Sequence, residues 1–429
     1  MVFEGLLALA KVLGVFGCML AGMRLKLGIG PSILAGGFLL ALLFGMGPGA
    51  WAEAAVSAAL TWQCLSLAAI VVLILMLSHV LERTGQSLRL MDALAGFLPS
   101  RRLRLIFFPV LIGLLPMPGG AAFSAPMVRQ TGTPLGVTED EMSLVNYWFR
   151  HVWELCWPLY PGIIMTAGLL GLPLSTVVVH TCAGSLAFAL LGWWFILRPM
   201  GPRLKALDQT AQDQTPPARD PLLALRLGAP LIVAIAGSFL LEAAVASSFP
   251  EASFEVGIIA ALAVAIVVAF VQNRAGRDFL VQSLLQKELR QTLVLVAAIF
   301  AFNQVLTEAS VVRELVKLGG DAALLAAAVF VPLLVGMVAG ITMAFVGASY
   351  PLILGLLDQL GLRDQALAWA VLALVSGFTG VMASPLHICF VMTCQYFGVD
   401  PARSWRKVMA PCLGLFVFGC AWFAVLRAL

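Results

Sequence analysis

Two segments rich in glycine, proline and hydroxyl side chains interrupt stretches that are otherwise long and apolar. They are Leu115-Pro-Met-Pro-Gly-Gly-Ala-Ala-Phe-Ser-Ala-Pro126 and Gly340-Ile-Thr-Met-Ala-Phe-Val-Gly-Ala-Ser-Tyr-Pro351. Aligning Pro126 with Pro351 superposes Ser124 on Ser349 and sets Ala122 against Gly347, so they read as two copies of one device. Backbone amides at such a break can hold an anion, and carbonyls or hydroxyls can replace the water around Na⁺. Gly119, Gly120, Ser124, Thr342, Gly347 and Ser349 are the candidate binding residues on this argument. The competing reading is that small residues here only let helices approach closely.

Two further groups carry polar chemistry in apolar surroundings. Asn146, Arg150, His151 and Glu154 lie among Trp148, Trp153 and Trp157. Arg150 and Glu154, four positions apart, would share a helix face and form an internal ion pair. Glu154 or His151 would otherwise carry a proton, or Arg150 would anchor a carboxylate through its forked donors. The alternative places all four near a membrane surface, snorkelling among interfacial tryptophans. The third group is Thr379, Ser384 and His387, within Ser376-Gly-Phe-Thr-Gly-Val-Met-Ala-Ser-Pro-Leu-His387. Gly377, Gly380 and Pro385 make an unwound middle expected there. His151 and His387 each follow a break, which suggests related positions in two halves. His79 and His180 have no supporting constellation.

The elements that must position these groups follow from composition. Of 429 residues, 61% are hydrophobic and 11% charged, far from the roughly 25% charged usage of soluble domains. The reading is an all-α polytopic membrane protein with about ten transmembrane helices. The net charge of +4 comes from basic loops on the cytoplasmic side, and nucleic-acid binding is not implied. The eight cysteines lack paired metal-type spacing and are read as small packing residues; any metal is left undetermined.

Spans of membrane length fall at about 5–22, 28–47 and 56–80. Arg24 and Lys26 place the first turn inside and the N-terminus outside, with the first span retained rather than cleaved. Residues 103–129 are too short to cross and return, so a re-entrant hairpin is expected, broken by Pro116, Pro118, Gly119 and Gly120. Spans at about 143–169 and 174–197 complete the first half. A polar cytoplasmic linker, 201–221, separates residues 1–200 from 222–429. The second half repeats the plan with spans at about 223–248, 254–271 and 291–309, a hairpin at 322–357, and spans at about 366–398 and 408–427. An odd number of crossings in the first half makes this an inverted-topology repeat. Segment 278–290 is expected to be an amphipathic surface helix.

The run ending in Pro126, with Asn146-Tyr-Trp-Phe-Arg-His-Val-Trp-Glu-Leu-Cys-Trp-Pro-Leu-Tyr-Pro-Gly162, resembles the prokaryotic membrane family labelled domain of unknown function 401. That family is similar to the ion transporter superfamily of gluconate, citrate and dicarboxylate permeases. The resemblance implies discontinuous helices, hairpins meeting near the midplane, elevator movement and residence in a prokaryotic inner membrane. The dicarboxylate branch carries a Ser-Asn-Thr triplet at its tips, where this chain has Gly119-Gly120-Ala121 and Val346-Gly347-Ala348-Ser349. Recognition by that triplet is therefore not carried over.

The expected function is secondary active transport of a small solute, an organic anion, coupled to Na⁺ or H⁺. A homodimer in a lipid bilayer is expected, with no cofactor beyond Na⁺ as a coupling ion. The alternative is a cation/proton antiporter without organic substrate, for which Glu154 is the main buried carboxylate candidate. No Walker-type phosphate loop, H-E-x-x-H or G-x-S-x-G motif is present, so no enzyme is expected.

Overall fold

The computed structural model describes residues 2–95, 97–98, 101–114, 120–201, 220–248, 253, 255–316 and 320–428, and among them all regular structure is helical. Most of the 201–221 linker and the 115–119 part of the first break lie outside the described residues. In the first half the helices are α1 (Val2–Arg24), α2 (Ile29–Leu43), α3 (Pro48–Ala59), α4 (Trp62–Arg83), α5 (Gln86–Ala95), α6 (Arg101–Ile112), α7 (Ala121–Gly132), α8 (Glu139–Phe149), α9 (Pro161–Leu170) and α10 (Leu174–Gly192). The second half comprises α11 (Pro221–Ser248), α12 (Glu255–Asn273), α13 (Arg277–Leu284), α14 (Lys287–Glu308), α15 (Val311–Val316), α16 (Gly320–Ala339), α17 (Thr342–Leu360), α18 (Ala366–Ala383), α19 (Ile388–Phe397) and α20 (Pro401–Ala428).

Ten stretches among the described residues are long and apolar enough to cross a membrane. The protein is thus a polytopic helical membrane protein, and the outer helices show lipid-type surfaces. Val179, Leu186, Val267, Val271 and Leu413 are all exposed on α10, α12 and α20. The centre is the opposite: 94% of the best window across α18 and α19 is buried, against 28% for α11 and for α20. A helix apolar all round and buried all round is a core helix, and α18 and α19 are enclosed by α8, α10, α16, α17 and α20.

Close approach in that core rests on missing side chains. A Cβ at Gly380 would overlap the carbonyl of Leu333 on α16, and one at Gly336 would overlap the carbonyl of Gly377. Gly377 and Gly380, expected to unwind their helix, instead lie in its regular part: Gly380 and Gly336 let α18 and α16 touch backbone to backbone, and Gly377 makes room for the Phe345 ring of α17.

Several expected boundaries move. The 28–47 span is only the 15-residue α2, because Gly45 takes φ 82° and Pro48 starts α3. Thr61 then caps α4, its hydroxyl accepting from Cys64 N at 3.3 Å. The 278–290 segment is split between α13 and the start of α14. The second break is much narrower than Gly340–Pro351: only Gly340 and Ile341 separate α16 from α17, which run 20 and 19 residues. Both are long enough to span, where short legs were expected over 322–357. Pro351 is interior to α17.

Candidate functional site

Thr138 and Glu141 form a reciprocal capping box that starts α8, with three carboxylates in its first turn favouring the helix dipole. Pro158 and Pro161 forbid continuation, so the chain runs in turns from Arg150 to Tyr160 before α9 begins. Arg150 and Glu154 therefore face a common space from turns, not from one helix face. Pro385 interrupts the second broken helix in the same way, between α18 and α19.

Breaks strand backbone carbonyls, and inside a membrane each needs a partner. Trp153 Nε1 donates to Val110 O at 3.0 Å and the Tyr160 hydroxyl to Gly113 O at 2.7 Å, closing the end of α6. At the other break Tyr147 donates to Met382 O (2.9 Å), Trp405 Nε1 to Ala383 O (2.8 Å) and Ser384 to Met337 O (2.5 Å). Tyr147, Trp153 and Tyr160 of the Asn146–Gly162 motif thus hold the breaks, while Trp148 bonds and stacks on Phe188.

The breaks and the Gly340–Ile341 link border a partly open cavity of about 200 Å³ whose wall includes Arg150, Glu154, Tyr160, Thr342, His387 and Cys389. The Thr342 hydroxyl donates to Glu154 Oε2 at 3.2 Å. Gly162 lies directly beneath Thr342, where a Cβ would overlap it. A Cβ at Gly120 would stand 2.7 Å from Arg150 Nε, so Gly120 brings bare backbone against the guanidinium. His151 Nε2 sits 3.8 Å from Glu154 Oε1 and 3.4 Å from Arg150 Nη1. The His151 and His387 rings are 4.9 Å apart and Tyr147 packs edge-on against both. A second cavity of about 500 Å³, bordered by Lys287 and Arg290, shares Thr292 and Ile341 with the first. A basic cavity therefore adjoins the one that holds Arg150 and Glu154.

Of the residues singled out in the sequence, Gly120, Arg150, His151, Glu154, Thr342 and His387 are brought together here. Gly119 lies outside the described residues. Ser124 and Asn146 are a brace beside the site: Ser124 donates to Asn146 Oδ1 (2.6 Å), while Asn146 Nδ2 donates to Ala121 O and Thr393 Oγ1, both at 3.0 Å. Ser349 and Thr379 hydrogen-bond their own helices, at Phe345 O and Val375 O. Gly347 accommodates Ile299, and Ser384 supports its break. These four do not line the cavity: Gly347 and Ser349 lie inside α17 and Thr379 inside α18, in packed interfaces, while Ser384, just past the end of α18, is bonded to Met337 O on α16.

His151 and His387 meet without being equivalent. The Pro126-to-Pro351 offset also relates Gly136 to Gly361, both left-handed at φ 60° and 68°, and it sets His387 opposite Gly162. Cys389 and Tyr147 were not singled out as site residues, nor was the Lys287/Arg290 pair. For Cys389 the signal was its place two residues after His387, just past Pro385.

A family model described as a protein of unknown function (DUF401) matches residues 8–211 and 251–426. No curated protein matches the chain.

Proposed function

The chain belongs to the DUF401 family, and since that membership carries no activity with it, we propose from the site that this is a secondary transporter of a small organic anion, coupled to Na⁺ or H⁺. The observation that carries the reading is a cavity at the junction of two broken helices, walled by Arg150, Glu154, Thr342 and His387 deep in an apolar bundle. Ionisable groups inside membrane bundles mark solute and ion pathways, because their burial is otherwise too costly to retain. Arg150 supplies a cation for a carboxylate, and Lys287 and Arg290 raise the local concentration of anions nearby.

Two oppositely oriented repeats, with α6–α7 in one and the longer pair α16–α17 as its counterpart in the other, would supply the alternating-access frame. Supporting this are the common order of helix pair, left-handed glycine, broken helix and second left-handed glycine, with Gly136 and Gly171 in one half and Gly361 and Gly398 in the other. These helix pairs and the broken helices would travel as one body against a scaffold that also forms a homodimer. No bond in the solute is made or broken.

The test is reconstitution in liposomes with small carboxylates supplied under imposed Na⁺ or proton gradients, alongside ligand-dependent melting of the purified protein. Arg150→Gln removes a charge-assisted contact and is expected to weaken solute binding roughly 10- to 100-fold. An anion flux that survives Arg150→Gln unchanged would defeat the assignment. Cation-dependent proton release that needs Glu154 but no organic solute would favour exchange of a cation for protons instead.

A further inference from the structure

We infer that His151, His387 and Cys389 form a binding site for a borderline-soft transition-metal ion of the Zn²⁺ type, with the Glu154 carboxylate as its fourth ligand. This goes beyond the transport reading and does not rest on it. A ring nitrogen of each histidine and the Cys389 thiol lie within 4.8 Å of one another, and all three residues are buried. Tetrahedral zinc holds such ligands at about 2.0–2.3 Å, hence roughly 3.3–3.8 Å from each other. Small side-chain rotations close that gap. The carboxylate of Glu154 stands 3.8 Å from His151 Nε2 but outside the cluster of three, and has to move in to complete the set.

The outer partners are those a metal centre needs. His151 Nδ1 lies 2.6 Å from Tyr147 O, a carbonyl that can only accept, so the proton sits on Nδ1 and Nε2 keeps its lone pair. The Tyr147 hydroxyl donates to Met382 O, so it accepts from His387 Nδ1 at 3.1 Å. One tyrosine therefore orients both imidazoles with Nε2 as the available ligand atom. Two imidazoles, a thiol and a carboxylate are a set suited to zinc and unsuited to Na⁺ or Mg²⁺, which take oxygen ligands. Glu154, His387 and Cys389 border the cavity, which gives an ion its route and the thiol proton a way out to water when the thiolate binds. Arg150 Nη1, at 3.4 Å from His151 Nε2, has to swing into the cavity as the ion binds.

The experiment titrates Co²⁺ into full-length detergent-purified protein that carries no polyhistidine tag. Expected are a thiolate-to-Co²⁺ charge-transfer band in the near ultraviolet and intense visible bands of a four-coordinate ion, saturating at one Co²⁺ per chain and displaced by Zn²⁺. Cys389→Ser should abolish the charge-transfer band, and His387→Gln should weaken Co²⁺ binding roughly 10- to 100-fold. A variant with the other seven cysteines replaced and Cys389 kept should retain the band, which guards against misfolding of the single variants. Absence of the band in the wild type, or its persistence in folded Cys389→Ser, overturns the site. Solute flux is read separately, so loss of either inference leaves the other standing.

Discussion

Arg150 has its position decided by a neighbour with no side chain. Gly120 presents bare backbone to the guanidinium, and any methyl there would collide with Nε. Gly120→Ala is therefore expected to push Arg150 off its seat and cancel solute-dependent stabilisation in melting experiments. Asn146 makes the contrasting prediction. It joins Ser124, Ala121 O and Thr393 within a fully buried spot, so Asn146→Ala leaves several polar groups without partners. A loss of about 1–3 kcal/mol for an orphaned buried group is expected, read as a lower melting temperature with solute preference unchanged. If preference shifted instead, Asn146 would be a contact residue and not a brace. The residue types alone could not separate these cases, since a buried asparagine serves equally as glue or ligand.

At the scale of elements, the two broken helices depend on side chains that answer the carbonyls exposed at each break. Tyr160→Phe deletes the bond to Gly113 O and should cost about 1 kcal/mol. The same change loosens the seat of α6 beside the cavity, so solute affinity should fall together with melting temperature. Helix contact supplies a second case. Gly380 faces Leu333 O across the α16–α18 interface, and Gly380→Val should separate the two helices at a cost of about 1–3 kcal/mol or more. Recovery of normally stable Gly380→Val protein would show that these helices do not need backbone contact. Prolines and glycines announced that breaks and close contacts exist in this chain. Which glycine does which depended on what lies opposite: Gly377 and Gly380 read as unwinding signals, yet they face Phe345 and Leu333 from inside a regular helix.

On the scale of the whole molecule, the basic cavity and the inner cavity meet at Thr292 and Ile341. Replacing Lys287 and Arg290 together by Gln should raise the solute concentration needed for half-maximal uptake. It should also flatten the dependence of that value on ionic strength, because long-range attraction is screened over about 8–10 Å at ordinary salt. The saturated rate should stay the same; a change confined to that rate would place both residues in the transport step itself. The sequence by itself determined a helical membrane protein with two interrupted regions and two separate polar sets, Asn146/Arg150/His151/Glu154 and Thr379/Ser384/His387, since hydropathy and helix breakers act locally and need no partner to be read. The tertiary structure alone decided that His151 and His387 face each other across 4.9 Å with Cys389 beside them, and that Ser349, Thr379 and Gly347 belong to packing. A hydroxyl or thiol is a ligand or a filler according to what stands within about 4 Å of it, and those neighbours come from helices more than two hundred residues away along the chain.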